Sequence, residues 1–336
     1  MAYDLEVEAQ RVIASFERLH PTEDLPRTQL NPNINASVNP RAFILALLKR
    51  ALCPEAVTSE FLTKLQSVRF VREAWTEDYL VGKLQKDKFV RRAINEFVHL
   101  WVMKFILPCM SSSQTMQYRR LKLWVVMDRG SARSFAISES EADRLLTLNV
   151  STRESDRCCI TGVYDVSASK CFRGPFGLVS CVRILPETLR NDDQAHHLIR
   201  VFTGGQINSI RDLIDRPVNA FFMSDILAPS FREFYWSVKA PAGLVTDVRS
   251  DLVVERVASR QHYDIDGLPA NSRVLFGTSP AAISIPPPKV ELCRLHLAVA
   301  MFLDDSGARD KIVSLFRSLD EPQHLARWKD DWDYSW

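Results

Sequence analysis

The sequence Arg157-Cys158-Cys159-Ile160-Thr161-Gly162 begins the stretch that decides the predicted fold. Three further motifs follow it along the chain, and Trp236 ends the stretch. These motifs are Cys181-Val182-Arg183-Ile184-Leu185-Pro186, Pro217-Val218-Asn219-Ala220 and Ala228-Pro229-Ser230-Phe231. The chemistry available to the stretch depends on Arg183 and Ala228, because a guanidinium and a methyl group offer very different reactivity.

The order of the four motifs resembles the HNH-nuclease-like domain that is common in fungal proteins. In that domain, a strand with Arg-Cys and Thr-Gly is followed by a strand ending in His-Ile-x-Pro, a Pro-x-Asn turn and a helix with His-x-x-Phe. The structural positions of the pattern are held here by Cys158, Thr161, Gly162, Asn219, Phe231 and Trp236. The resemblance covers residues 150–310 and implies a central ββα unit.

Both catalytic histidine positions of that pattern hold other residues in this chain. An HNH nuclease uses one histidine as a general base and a second histidine to hold a divalent metal. Arg183 stands at the first position, and a guanidinium cannot accept a proton from water near neutral pH. Ala228 stands at the second position and has no ligand atom. The resemblance therefore implies the frame of a nuclease without its chemistry.

Three other residues could rebuild the missing site. His196 and His197 lie beside two aspartates, and carboxylates with imidazoles suit a metal ion or acid–base catalysis. The alternative is a helix start that an aspartate caps, with one histidine exposed. Asp225 lies near the second missing histidine and could be a metal ligand or a helix cap. A divalent metal is expected only if the site is rebuilt; otherwise no cofactor or metal is expected.

The charge balance favours a small-molecule or anionic ligand over nucleic acid. The 336 residues include 43 basic and 41 acidic side chains, which give a formal net charge of +2. Proteins that bind nucleic-acid backbones usually carry a strong basic surplus, because each neutralised phosphate needs a cation. Nucleic acid is therefore not a favoured partner.

The cysteines and the apolar runs predict an intracellular protein. The seven cysteines are an odd number without a Cys-x-x-Cys pair, which is typical of reduced thiols rather than of a disulfide framework or a zinc ribbon. The longest apolar run, 97–110, contains His99 and Lys104 and is interrupted by Pro108, so no membrane span is predicted. We expect a cytoplasmic or nuclear location.

The chain is predicted to be α+β: a helical N-terminal block, a central HNH-like ββα unit with additional strands, and a helical C-terminal cap. The N-terminal block, residues 1–110, is expected to be all-α. A linker with short strands follows at 111–149, and the HNH-like domain occupies 150–240. The last part, 241–336, combines strands, an amphipathic helix and a tryptophan-rich tail.

Local patterns predict the individual elements. Apolar residues at helical spacing predict helices over 3–19, 40–52, 58–74, 86–107 and 289–304, the last of them ended by Gly307. Ser138 and Glu141 have the spacing of a capping box, which predicts a helix from Ser138 to Leu146. Residues 21–40 are predicted to be loop, and strands are expected over 121–126, 134–137, 251–257 and 272–276.

The tail carries tryptophans at every fourth position: Trp328, Trp332 and Trp336. On a helix, these indoles would form one stripe, while the neighbouring aspartates would face away. Such a stripe must be buried, either on its own domain or as a lid over a pocket or in a homodimer contact.

These observations leave three functions open. In the first, the chain is an HNH-derived fungal protein whose pocket around Arg183 serves a non-nuclease reaction or binds a small ligand, for example in secondary metabolism. In the second, it is a metal-dependent nuclease with ligands rebuilt from His196, His197 and Asp225. In the third, it is a non-catalytic interaction module. If it is an enzyme, a repurposed HNH-fold enzyme is expected rather than a competent nuclease.

Overall fold

The computed structural model describes residues 5–19, 25, 27–31, 36–68, 76–110, 140–166, 174–240, 252–257, 268 and 271–319. The fold is α+β, as the sequence predicts. Contacts divide the chain into two compact units. The first unit consists of residues 1–108, 193–208 and 298–336, and the second consists of residues 109–192 and 209–297.

The helices and strands of the described residues are as follows. The helices are α1 (Leu5–Arg18), α2 (Pro40–Arg50), α3 (Pro54–Gln66), α4 (Glu77–Lys86), α5 (Lys88–Trp101), α6 (Leu107–Met110), α7 (Glu141–Arg153), α8 (Asp193–Thr203), α9 (Ile210–Leu213), α10 (Ala228–Arg232), α11 (Pro280–Ser284), α12 (Val290–Asp305) and α13 (Arg309–Leu319). The strands are β1 (Thr28–Asn31), β2 (Ala36–Val38), β3 (Tyr164–Asp165), β4 (Phe176–Gly177), β5 (Val179–Arg183), β6 (Ala220–Ser224), β7 (Trp236–Lys239) and β8 (Val253–Arg256).

An aromatic cluster forms part of the core of the first unit. The ring of Trp101 on α5 lies 5.9 Å from that of Phe97, 5.6 Å from that of Phe105 and 6.2 Å from that of Phe202 on α8. Phe97 also contacts Phe61 on α3 at 5.2 Å. Each of these side chains is fully buried, and burial of such a side chain stabilises a fold by roughly 1.5–3 kcal/mol.

Side-chain caps explain where several helices begin. The Asn39 side chain accepts hydrogen bonds from the N–H groups of Arg41 and Ala42, and Pro40 then opens α2. Asp87 ends α4 and at the same time caps α5, because its carboxylate accepts from the N–H groups of Phe89 and Val90. The predicted helix 86–107 therefore begins two residues later, at Lys88.

Several predictions for the first unit need correction. The sequence interpretation missed α4, which the hydroxyl of Thr76 caps by accepting from Tyr79 N–H. The segment predicted to be loop contains the antiparallel pair β1–β2, so the N-terminal block is not all-α. Thr28 of β1 is buried and donates to the Asn95 side chain at 2.8 Å, a contact that local sequence patterns do not reveal.

The helical region Lys88–Met110 is the one described helical segment long and apolar enough, by length and composition, to cross a membrane. It includes a π-helical turn over Val102–Ile106 between α5 and α6. Of its most apolar window, 61% is buried inside the structure. A core helix meets the same criteria, and the aromatic contacts of Phe97, Trp101 and Phe105 are those of a core helix.

The second unit contains a five-residue antiparallel strand pair followed by a short helix. Strand β5 pairs with β6 from Val179 opposite Ser224 to Arg183 opposite Ala220. Helix α10 follows β6 closely, and β7 then pairs with β8. Strand β8 lies within the predicted strand 251–257. The segment predicted as a strand at 272–276 is joined to it by a bridge at Arg273 and by hydrogen bonds from Val254 N–H to the Ser272 carbonyl and from Val274 N–H to the Leu252 carbonyl, each 2.8 Å long.

Helix starts in the second unit also differ from expectation. Helix α7 begins at Glu141 because the Ser140 hydroxyl accepts from Asp143 N–H at 3.1 Å, so Ser140 is the cap rather than Ser138. Helix α12 occupies the predicted position, and Gly307 follows it with a φ of 62°. The strands predicted at 121–126 and 134–137 lie outside the described residues.

Candidate functional site

The candidate site lies where β5 ends and β6 begins, and Asn219 holds its backbone together. Its side-chain oxygen accepts from Leu185 N–H at 2.8 Å, and its side-chain nitrogen donates to the carbonyls of Leu185 at 2.8 Å and Ile214 at 3.2 Å. Asn219 is fully buried. The amide therefore ties the segment after β5 to the turn before β6, where the sequence places the structural asparagine of the pattern.

Arg183 forms ion pairs at the end of β5. Its guanidinium donates to the carboxylates of Asp143 on α7 and Asp215 after α9, the latter at 3.3 Å, and its Nε donates to the Ile214 carbonyl at 3.1 Å. The Arg183 side chain is only 9% exposed. Burial lowers its pKa, but the hydrogen bond to Asp143 and that carboxylate's charge outweigh burial, so the pKa is raised overall.

Arg190 completes a cluster of two arginines and two aspartates. One terminal nitrogen of Arg190 contacts the two oxygens of Asp215 at 2.6 and 2.7 Å. The hydrogen bond from Arg190, supported by the charge of Arg183, lowers the pKa of Asp215. We call Arg183, Arg190, Asp143 and Asp215 the ion-pair cluster; the formal charges of these four residues cancel, and the carboxylate of Glu187 lies at its edge, 3.7 Å from Arg190.

The first motif forms a tight turn beside these strands. The N–H of Gly162 donates to the Cys158 carbonyl at 2.9 Å, and Gly162 has a φ of 72°, a conformation that glycine adopts without strain. Thr161 is exposed, and its N–H contacts the sulfur of buried Cys158 at 3.4 Å. Cys159 N–H donates to the Phe222 carbonyl of β6 at 2.8 Å, so the motif extends the β5–β6 region. Burial raises the pKa of the Cys159 thiol well above its usual value, which keeps it from acting as a thiolate.

Phe231 and Trp236 pack in the core of the second unit. The ring of Phe231 lies 5.0 Å from that of Trp236 and stacks on the imidazole of His296 at 4.0 Å. Trp236 Nε1 donates to Ser230 Oγ at 2.9 Å. Both side chains are buried, at 1% exposure for Phe231 and 0% for Trp236.

His296 is a buried, neutral histidine that pairs with a serine. Its Nδ1 lies 2.8 Å from Ser237 Oγ, and His296 is 4% exposed while Ser237 is fully buried. Burial lowers the pKa of His296 to about 3, which a hydrogen bond to the Phe231 backbone only partly offsets. The pair has the composition of a serine–histidine dyad, but both residues are buried in the core of the second unit.

Ala228 and Asp225 do not lie at the Arg183 end of the strand pair. Asp225 N–H donates to the Leu178 carbonyl at 3.0 Å, next to the pairing of Val179 with Ser224. Arg183 is four residues further along β5, or roughly 13 Å at the usual rise per residue. Ala228 is buried in the first turn of α10, and Asp225 does not cap that helix because Leu227 is at the cap position.

His196 and His197 belong to the first unit, on α8. His197 Nε2 lies 3.3 Å from a carboxylate oxygen of Glu60 on α3, and His196 Nδ1 lies 4.0 Å from Asp193. Adjacent helical residues point about 100° apart, which is why the two imidazoles have different partners. The first unit contains these histidines, whereas the second contains Asp225 and Arg183.

Within the part of the chain that the structure describes, no group of three or more histidine, cysteine, aspartate or glutamate side chains is placed to hold a metal ion. Trp328, Trp332 and Trp336, the predicted lid, lie outside the described residues.

Sequence analysis missed Arg153, the most heavily bonded side chain of the second unit among those described. All three of its guanidinium nitrogens donate: Nε and one terminal nitrogen to Glu154, and the terminal nitrogens to the carbonyls of Pro217, Ala220 and Pro286 at 2.6–3.0 Å. Both Arg153 and Glu154 are fully buried. Helix α7 is thereby fixed to the turn before β6, next to Asn219. In the sequence, Arg153 and Glu154 have the pattern of charged residues at a solvent-exposed helix end. No local sequence signal therefore identifies their buried role.

Comparison of the chain with family models, curated proteins and solved structures gives no match.

Proposed function

We propose that this chain is an HNH-derived protein that has lost metal-dependent nuclease activity and acts as a binding module, with the ββα unit as its scaffold. The observation that carries the proposal is the environment of Arg183. The residue at the general-base position is positively charged and already paired with Asp143 and Asp215.

The arrangement of β5, β6 and α10 supports the derivation from an HNH frame. An antiparallel pair of strands is followed by a short helix, and Asn219 joins the two strands through the backbone of Leu185. Phe231 packs against Phe221 of β6 at 6.0 Å, which anchors the helix on the strands. These contacts hold the strands and the helix together. None of them requires the two catalytic histidines of the HNH pattern, whose positions Arg183 and Ala228 occupy.

The ion-pair cluster supports the loss of hydrolysis. Arg183 cannot accept a proton from water, and its charge repels a divalent cation. Ala228 offers no ligand. A small anion at Arg183 would have to displace Asp143 or Asp215, and the cluster has no net charge to attract one. We therefore propose that Arg183 fixes the fold, and that ligands or partners bind elsewhere on the chain.

A nicking assay on the purified chain tests this function. Supercoiled plasmid is incubated with the protein and magnesium, manganese, zinc or nickel, and the metal content of the same sample is measured by mass spectrometry. We expect neither nicking nor bound metal at a stoichiometric level.

Two variants make the test specific. If nicking appears, its loss in His197→Ala with retention in Arg216→Ala would assign it to a rebuilt nuclease site and overturn the proposal. Arg216 is a suitable control because it is exposed and forms no ion pair with a described residue. Nicking that persists at the same level in both variants would point to a contaminating nuclease, which a second purification step would remove.

A further inference from the structure

A groove with surplus positive charge runs along α4 and the start of α5 in the first unit. Two adjoining hollows of about 610 and 700 Å³ share Lys88. The stretch from Lys83 to Arg92 contains five basic residues and one acidic residue. We call this surface the basic groove; its basic residues are Lys83, Lys86, Lys88, Arg91 and Arg92.

Three of these cations lack a carboxylate partner among the described residues. Lys83 pairs with Asp87 at 3.1 Å, and Arg92 pairs with Glu96 at 3.0 Å. Lys86, Lys88 and Arg91 form no ion pair with any described residue. Within the described ranges, the charge of these three cations is therefore uncompensated, in contrast to the ion-pair cluster.

Aromatic side chains lie beside the cations of the basic groove. Phe89 is 58% exposed, an unusual position for a large apolar side chain. Lys88 Nζ lies 5.2 Å from the centre of the Phe89 ring, and Lys83 Nζ lies 5.7 Å from that of Tyr79. A partner that offers carboxylates and aromatic rings together fits this surface, because its acids meet the lysines and its rings pack on Phe89.

The chain contains one such partner in residues 320–336. This acidic-aromatic segment has five acidic and two basic residues, and its end, Asp330-Asp331-Trp332-Asp333-Tyr334-Ser335-Trp336, alternates acids and aromatic rings without a basic residue. We propose that the acidic-aromatic segment docks in the basic groove of the same chain. Its occupancy would mask Lys86, Lys88 and Arg91 from other anionic partners.

Contacts between elements of the first unit link the end of α13 to the basic groove. Helix α13, which ends at Leu319, contacts β2; β2 pairs with β1, and β1 contacts α5. Thr28 of β1 bonds Asn95, a residue that lines the groove. At roughly 3.3 Å per residue, the stretch from Leu319 to Asp330 can span up to about 35 Å, well beyond the width of two helices.

Tethering favours the segment over a free partner. A binding element on the same chain has an effective concentration on the order of millimolar, so weak individual contacts are sufficient. Exposed ion pairs are screened by salt, so docking by charge must weaken as ionic strength rises. The near-neutral net charge of the chain agrees with internal pairing of a basic and an acidic surface.

Chymotrypsin cleavage of the purified 336-residue chain, followed by intact mass spectrometry, tests the docking. The protease cuts after Trp328, Trp332 and Tyr334, and cleavage there is slow while the segment is docked. We expect Lys88→Glu/Arg91→Glu to speed this cleavage about tenfold, and about 0.5 M sodium chloride to speed it in the parent protein. Arg200→Glu/Arg216→Glu, at two exposed arginines outside the groove, should leave the rate unchanged.

A charge swap and a dilution series separate this docking from other occupants. Adding Asp330→Lys/Asp331→Lys to the groove variant should restore slow cleavage, because opposite charges again face each other. An unchanged rate in the groove variant, or no restoration by the swap, would overturn the proposal. A cleavage rate that falls with rising protein concentration would assign the groove to a second copy of the chain instead. Protection that requires added duplex DNA would assign it to a nucleic acid.

Discussion

Asn219 binds both main-chain polar groups of Leu185 through its single side-chain amide. The two hydrogen bonds are each 2.8 Å long, and a third joins the same amide to the Ile214 carbonyl. No other standard side chain of this size offers one acceptor and two donors in that geometry. The connection holds the segment that carries the ion-pair cluster in register with β6.

Replacement of Asn219 by alanine should destabilise the protein by about 3 kcal/mol, because it leaves the N–H and the carbonyl of Leu185 without their partner in a buried site and removes one of the two donors to the Ile214 carbonyl. Asn219→Asp should cost at least as much, because a carboxylate can accept from Leu185 but cannot donate to either carbonyl when ionised. Urea denaturation measures both values. A loss below about 1 kcal/mol in both variants would show that water replaces the amide.

Arg183→Ala should lower the free energy of unfolding by about 2 kcal/mol, because it breaks ion pairs to Asp143 and Asp215 at a site that is only 9% exposed. The matched variant Arg216→Ala should change it by less than about 0.5 kcal/mol, because its side chain is exposed. Thermal and urea denaturation of the two variants provide the comparison. Equal stability of both variants, with weaker binding of an anion in Arg183→Ala alone, would give Arg183 the ligand-binding role instead.

Arg153→Met should destabilise the second unit by about 3–5 kcal/mol, because it leaves Glu154 as a buried charge and removes the donor from three carbonyls. Arg153→Lys should not rescue stability, because an ammonium cannot reproduce the planar fork of donors. Adding Glu154→Gln to Arg153→Met removes the leftover charge and should recover part of the loss. A double variant as unstable as the sum of its single variants would show that Arg153 and Glu154 act independently.

The sequence predicts helices best where the apolar pattern is long and a cap is present. Helices α2 and α12 lie close to their predicted bounds. The helix predicted at 86–107 begins at Lys88, where Asp87 caps α5, and continues through the π-helical turn and α6 to Met110. Helix α4 was missed although Thr76 has the position of a cap and Leu80 and Leu84 are four residues apart. Only two of its ten residues are buried. This apolar pattern is too short to identify a helix from the sequence.

Tertiary partners could not be predicted from local patterns. Nothing next to Arg183 in sequence shows that Asp143 and Asp215 neutralise it, since these residues lie 40 and 32 positions away. The division into units could not be predicted either, because residues 193–208 belong to the first unit, although the residues on both sides of them in sequence belong to the second. The Pro-x-Asn motif singled out Asn219 as a structural residue, but the motif does not reveal its bonding partners, because Leu185 and Ile214 lie 34 and five positions away.

Protonation of His296 should make the protein less stable in acid, over a range set by the lowered pKa of this residue. In the folded protein burial lowers that pKa to about 3, whereas an unfolded histidine titrates near 6.5. Between these values the unfolded chain binds a proton that the folded protein does not, so stability is complete above pH 6.5 and falls as the pH decreases toward 3. From pH 7 to pH 5, the expected loss is about 2 kcal/mol.

Urea denaturation of the parent protein and of His296→Gln at the two pH values measures this loss. The glutamine variant should lose about 2 kcal/mol less over the same range, because its amide bonds Ser237 without titrating. Equal pH dependence of the two proteins would show that His296 is accessible to protons in the folded state and that Ser237 and Phe231 do not hold it neutral.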